Sequence, residues 1–395
     1  MNKYDWGLKM EVHMELRPHP DIELGVRRTD LSADFTIPET GIDTDTGVIM
    51  VIPGFGESCE TEHQKGLRAY LANKLNCIAV GTSYFGIYRS SQIQLTPSFL
   101  YNYNRIYGLN MSFDDFALAQ SGEELYRMIT EPVLRRGVTS LDIRCQPLLI
   151  TDKGEYQSWG FLPAVDNLRV LGEIINKYDI NRKKIIAFGN GYGGYIAMLM
   201  GKFAPQTFSL IIEREAYSRA ELKHIVSGEL MESDYVFAFD LNQGDLRFTI
   251  ASSSNNPWTI EDETSGYYFS DSCRQIRSLH IEKHRCVSPT SYCIVHSENN
   301  ENVLIKNKDQ CVDILKRYNR VDYRRIAANG SSNRLTDQEF IEDLSNQPDM
   351  IWEKESDDTD FSLDSICSFV CSDKVYQFSF LSEGTLEVSI NEIDE

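Results

Sequence analysis

Residues 184–203 read KIIAFGNGYGGYIAMLMGKF, a short apolar run that breaks into glycines and resumes as a longer apolar run. A continuous apolar segment of strand length opening into glycines predicts a buried parallel strand, and the stretch Tyr195–Phe203 beyond it predicts a helix. Outward from this centre the rhythm continues. An amphipathic helical pattern runs from Phe161 to about Tyr178, and a second apolar strand occupies Phe208–Glu213. Further upstream, Gly47–Ile52 (GVIMVI) ends in Pro53-Gly54-Phe55-Gly56, Gln64–Leu75 is helically periodic, and Cys77–Tyr84 is again apolar, which completes a βαβ unit. Strands are also expected at Leu246–Ala251, Tyr292–Val295 and Val321–Ile326, the last two joined by a helix at Asp309–Tyr318. Strands alternating with helices predict an α/β protein with a doubly wound, mainly parallel sheet.

Three regions depart from that rhythm. Residues 1–45 read as an N-terminal β ribbon of the core, with extended segments over residues 9–37. Within the main domain, residues 46–345, the polar and aromatic stretch from about residue 85 to residue 157 predicts a lid insertion. Residues 346–395 form an acidic tail with strand patterns at Ile366–Val370, Val375–Leu381 and Leu386–Ile390, a small β-rich appendage.

Charge and cysteine usage narrow the function classes. The 395 residues carry 39 Lys+Arg against 59 Asp+Glu, a formal charge of −20, which opposes binding to nucleic acid or to anionic membrane surfaces. Residues 341–395 alone hold 15 acidic and two basic side chains. The nine cysteines lack paired CxxC spacing, as in a reducing compartment, and with no apolar leader or span the expected location is the cytoplasm.

The glycine turn Gly189-Asn190-Gly191-Tyr192-Gly193-Gly194 admits two mechanisms. As G-x-G-x-x-G it matches a dinucleotide fingerprint, with Glu213 in place as the ribose-binding acid, although the motif follows at least two core strands rather than opening the fold. As G-x-S-x-G it matches a nucleophile elbow whose central residue is Gly191, so the turn has no hydroxyl to form an acyl-enzyme. In the elbow reading, Pro53–Gly56 stands where an oxyanion loop belongs. Phe55 and Tyr192, with Tyr84 at the end of its strand and His296 at the end of a later one, are then the candidate binding residues. The order nucleophile, acid, histidine requires a late histidine, yet none of the seven lies after His296. Between Ala327 and Met350 the region offers amides such as Asn329, Asn333, Asn346 and Gln347, which cannot take a proton at neutral pH.

Tyr156-Gln157-Ser158-Trp159-Gly160, then Gly189–Tyr195 with Ile196-Ala197, then His296-Ser297 after a strand, resemble an uncharacterised bacterial family of α/β-hydrolase-like proteins, domain of unknown function 2920, over residues 20–350. The resemblance implies a sheet of α/β-hydrolase type. It also implies triad positions that here read Gly191, Asn300 and Asn346, a degenerate set with no catalytic residue expected. The family's association with surface-glycan and flagellar modification implies a small-molecule or glycan ligand, or a protein partner. No cofactor and no metal is expected: His280 and His284 are spaced i, i+4, but Glu282 is displaced from the HExxH pattern, so a solvated helix face is the simpler reading. Cys59 and Cys293 are the substitute nucleophiles nearest the sheet edge and read first as small buried hydrophobes. The sequence thus predicts a binding pseudoenzyme, with an esterase, deacylase or acyltransferase using a non-standard nucleophile, and more remotely a dinucleotide-binding oxidoreductase, as rivals.

Overall fold

In a computed structural model, which describes residues 11–95, 97–119, 122–138, 146–151, 153–230, 235–240, 247–252, 256–327, 335–381 and 383–393, the chain divides into two units. The first comprises residues 1–87, 158–220 and 269–395, and the second residues 88–157 and 221–268.

Along the chain the elements are β1 (Glu11–Leu16), β2 (Leu31–Thr36), β3 (Gly47–Ile52), α1 (Glu62–Leu75), β4 (Cys77–Ser83), β5 (Tyr88–Gln94), α2 (Pro97–Tyr107), α3 (Phe113–Phe116), α4 (Gly122–Leu134), β6 (Gln146–Thr151), α5 (Phe161–Lys177), β7 (Ile185–Asn190), α6 (Tyr192–Phe203), β8 (Leu210–Arg214), α7 (Ser227–Leu230), β9 (Tyr235–Asp240), β10 (Arg247–Ser252), α8 (Asp271–Arg277), β11 (Ser291–Ser297), α9 (Ile305–Leu315), β12 (Val321–Ile326), α10 (Asp337–Ser345), β13 (Ile366–Cys371), β14 (Lys374–Phe380) and β15 (Leu386–Glu392).

An eight-stranded sheet in the order β1-β2-β4-β3-β7-β8-β11-β12 organises the first unit. From β4 to β12 every neighbouring pair is parallel, and β2 runs antiparallel to both β1 and β4. Strands β3, β4 and β11 are buried along their whole length, as all-apolar parallel strands must be when helices cover both faces. Helices α1 and α10 pack on one face, where Leu67, Leu71, Phe340 and Ile341 meet Val51, Phe188 and Ile212. Helices α5 and α6 pack against each other, and almost every residue of α6 is buried.

The acidic tail forms the expected small antiparallel sheet, β13-β14-β15, in the segments expected for it, and it packs on α5 and α6. Its outward residues carry the charge, whereas Phe369, Tyr376, Phe378 and Phe380 point inward. Phe378 stacks on Phe203 of α6 at 4.3 Å between centroids, and Tyr376 meets Phe161 of α5 edge-on at 5.6 Å. The turn before β15 lies so close to α5 that a Cβ on Gly172 would sit 2.2 Å from the carbonyl oxygen of Gly384. Lys354 anchors the segment leading into the tail, its Nζ donating to the carbonyls of Gln206, Thr207 and Asp358. Acidity marks the tail's solvent face, and its alternating aromatics face the core of the first unit.

The second unit holds the aromatic insertion together with a segment that the sequence reading assigned to the main sheet. Phe99, Tyr103, Phe116, Leu125, Ile129 and Val133 form its helical core, and the Tyr103 hydroxyl donates to the Ile129 carbonyl at 2.6 Å. Strand β5 pairs with β6, and β9 pairs with β10. The strand expected at Leu246–Ala251 exists from Arg247 onward, but it pairs in this second unit rather than in the parallel sheet; Leu246 lies outside the described residues.

Candidate functional site

The turn between β7 and α6 has the geometry of a nucleophile elbow. Gly191 sits at φ +51°, ψ −113°, and its N–H donates to the Arg214 carbonyl of the neighbouring strand at 2.7 Å. Side chains are excluded on either side. A Cβ on Gly189 would lie 2.4 Å from the backbone of Gly193, and one on Gly193 would lie 2.2 Å from the carbonyl oxygen of Ile52. At Gly191, among the described residues, nothing stands within 4 Å of the position a Cβ would take. The turn is thus built to push a central side chain into open space, in the strained conformation such turns use, and it carries hydrogen there.

Phe55, Tyr84 and Tyr192, singled out from sequence, do come together. The ring of Tyr192 lies 5.7 Å from Phe55 and 6.4 Å from Tyr84, and Trp159, held at φ +46°, fills the gap 4.8 Å from Tyr192. This group is a packed support rather than an open wall. Tyr84 and Tyr192 are buried, the Tyr84 hydroxyl donates to the Pro53 carbonyl at 2.9 Å, and the Tyr192 hydroxyl accepts the N–H of Gly160 at 2.9 Å. Phe55 is half-buried. The aromatic rings therefore fix the Pro53–Gly56 loop relative to the elbow.

A polar rim that sequence reading missed flanks the elbow. Asn190 Nδ2 donates to Asp337 Oδ1 at 2.6 Å, and Arg214 Nη1 donates to the same oxygen at 3.1 Å. The exposed imidazole of His63 places Nδ1 2.8 Å from Glu57 and Nε2 3.8 Å from the second Asp337 oxygen. Asp337 is the first residue of α10, after the N-cap Thr336, where a carboxylate is favoured by the helix dipole, and its bonds tie the start of that helix to the elbow. None of these residues was named as a candidate from sequence, although Asn190 lies inside the glycine motif.

The third cluster lies along the sheet edge. Parallel register pairs Asn190 with Arg214 and Arg214 with Val295, so Gly191, Glu215 and His296 occupy one row across three adjacent strand ends. Glu215 accepts from the backbone N–H of Ser297 at 2.9 Å, from Asn300 Nδ2 at 2.6 Å and from the Ser297 hydroxyl. His296 is fully buried; its Nε2 is 2.8 Å from the Val303 carbonyl, its Nδ1 is 3.4 Å from Glu215, and burial pushes its pKa below the usual histidine value. The expected pocket residue His296 therefore supports the acid loop and does not line the elbow.

Several expectations need correction here. Asn346 closes the C-terminus of α10, about 13 Å along the helix from Asp337 at 1.5 Å per residue, too far to mark the place of a triad histidine. Asn329 and Asn333 lie outside the described residues. His284 stands on a 3₁₀ turn, not an α-helix face, and is buried with Nε2 2.9 Å from the Val370 carbonyl, while His280 pairs with Ser218 at 2.8 Å. The two histidines thus have separate partners. Glu213 lies beside Gly194, but it is fully buried and ion-paired with Lys308 at 2.7 Å, closed to any ribose. Cys59 and Cys293 are both buried; Cys59 Sγ lies 3.1 Å from the Ser83 hydroxyl, and burial raises both thiols, that of Cys293 to about 12. Among the described residues, no group of three or more His, Cys, Asp and Glu side chains is arranged to hold a metal ion, and no helix is long and apolar enough to cross a membrane.

Strand order, the single antiparallel second strand and the elbow after the fifth strand of the main sheet define an α/β-hydrolase fold. The chain belongs to the family of proteins of unknown function DUF2920, whose pattern it matches over residues 12–390. Solved structures with similar folds include the acylaminoacyl peptidase of Pyrococcus horikoshii (14% identity, TM-score 0.46, 88% of this chain and 42% of that one). They also include Est1E of Butyrivibrio proteoclasticus with bound ferulic acid (13%, TM-score 0.40, 79% and 90%) and an S-formylglutathione hydrolase of Agrobacterium tumefaciens (13%, TM-score 0.40, 82% and 88%). This chain spans well under half the length of the peptidase. A search of the curated proteins finds none that matches.

Proposed function

We propose that this protein is a ligand-binding member of the α/β-hydrolase fold that has left nucleophilic catalysis behind. One observation carries the reading: the elbow keeps its strained geometry and its open space at Gly191 while presenting no side chain there. Acyl transfer through the elbow needs a hydroxyl or thiol at that point, and the buried, raised thiols of Cys59 and Cys293 are poor substitutes. The half-buried Phe55, the backbone amides of the loop and the polar rim of Asn190, His63 and Asp337 suit a small neutral ligand rich in hydroxyl and carbonyl groups, a glycan above all. Such a role fits a place in surface-glycan or flagellar modification, in the cytoplasm. A protein ligand is the alternative occupant.

A second reading, an esterase, deacylase or acyltransferase with a non-standard nucleophile, draws on His63. Flanked by Glu57 and Asp337, this imidazole is placed to deprotonate a water molecule without an elbow nucleophile. Hydrolysis of p-nitrophenyl acetate by the purified protein separates the two. Binding without chemistry predicts a rate equal to the protein-free rate and no labelling by a fluorophosphonate. Turnover that disappears in His63→Gln, or in Cys59→Ala or Cys293→Ala, overturns the binding reading.

A further inference from the structure

We infer that Glu215 is the positioned carboxylate of the elbow site, the group that would hold an N–H donor, of imidazole or ammonium type, beside Gly191. The inference rests on the elbow reading above and adds a residue to it. Asn300 stands where the acid was expected, yet it donates its amide to Glu215, so a carboxylate occupies the spot after all, supplied by the neighbouring strand.

Independent observations converge on this residue. Glu215 holds φ +55°, a conformation rare for a side chain larger than that of Asn or Asp, immediately after Arg214, whose carbonyl accepts the Gly191 N–H. Two backbone bonds fix it in the row, Gly191 N–H to Arg214 on one side and Glu215 N–H to Val295 at 2.9 Å on the other. Adjacent parallel strands lie about 4.8 Å apart, so the elbow and Glu215 are neighbours. Three donors, the Ser297 amide, the Ser297 hydroxyl and Asn300 Nδ2, aim the carboxylate, and the side chain remains 30% exposed. His296 Nδ1 also lies 3.4 Å from this carboxylate, and a ligand N–H would reach it through the exposed part of the side chain.

Imidazole serves as the probe, with Gly191→Ser as the reporter. In that variant the introduced hydroxyl attacks the phosphorus of a fluorophosphonate. The P–O bond forms as P–F breaks, fluoride leaves, and imidazole takes the hydroxyl proton while Glu215 holds its second nitrogen. Labelling of Gly191→Ser should rise saturably with added imidazole. Adding Glu215→Gln should cut the imidazole-dependent increment at least tenfold. Glu215→Gly serves as the second variant, because glycine adopts φ +55° without strain and still removes the carboxylate. Equal increments with and without the carboxylate, or labelling that ignores imidazole, overturn the assignment of Glu215 alone. Absence of any labelling of Gly191→Ser overturns the elbow reading and the inference together.

Discussion

At the scale of single residues, the glycines of the elbow are not equivalent. Gly193 faces the Ile52 carbonyl so closely that Gly193→Ala should destabilise by about 1–3 kcal/mol or more, since backbone cannot yield as a side chain can. Gly191→Ser meets open space and should cost only the left-handed conformation, of order 1 kcal/mol. Urea unfolding of the two variants checks the contrast, and similar losses for both would show that the elbow is packed otherwise. Glycine spacing made the turn legible in the sequence. Glu215 was not legible, because a glutamate after Glu213-Arg214 reads as a solvated strand end, and nothing in residue order reveals a positive φ or a neighbour's amide.

At the scale of elements, α9 is held to β8 by the Lys308–Glu213 pair, in which both partners are fully buried. Lys308→Met leaves a buried carboxylate uncompensated and should cost about 3–5 kcal/mol, and adding Glu213→Leu should recover most of it. Thermal melts of the single and double variants test this, and a double variant no better than the single would refute it. The central parallel strands were readable from unbroken apolar runs such as Gly47–Ile52. Strand β10 was readable as a strand but not as a member of the second unit, since periodicity reports a pleated surface and not its partner. Asn346 failed for a related reason: order along the chain set it after the last strand, but α10 intervenes and carries it away from the elbow.

At the scale of the whole chain, several histidines are buried where charge is disfavoured. Burial lowers His280 and His284 to about 4 and also lowers His19, whose Nε2 accepts the Val388 N–H at 2.9 Å and so must be neutral. The unfolded chain binds these protons more readily, so the stability they contribute is complete above pH 6.5 and is lost as pH falls toward about 4. Melting temperature should therefore decline through that window, and His284→Gln should flatten the decline; an unchanged slope in the variant would remove His284 from the account. On the tail, Phe378→Ala should cost about 3–5 kcal/mol, as for a core aromatic, and an effect near zero by chemical denaturation would show that the tail's aromatics add nothing to the stability of α5 and α6. The bond from Val388 to His19 also has a consequence for biosynthesis. Its two partners are 369 residues apart, and Tyr376 follows Phe161, the ring it covers, by 215 residues, a delay of roughly 10–40 s at ribosomal rates during which Phe161 emerges without its cover. The nascent chain must spend that interval with an aromatic surface open, a natural client for a chaperone at the exit tunnel.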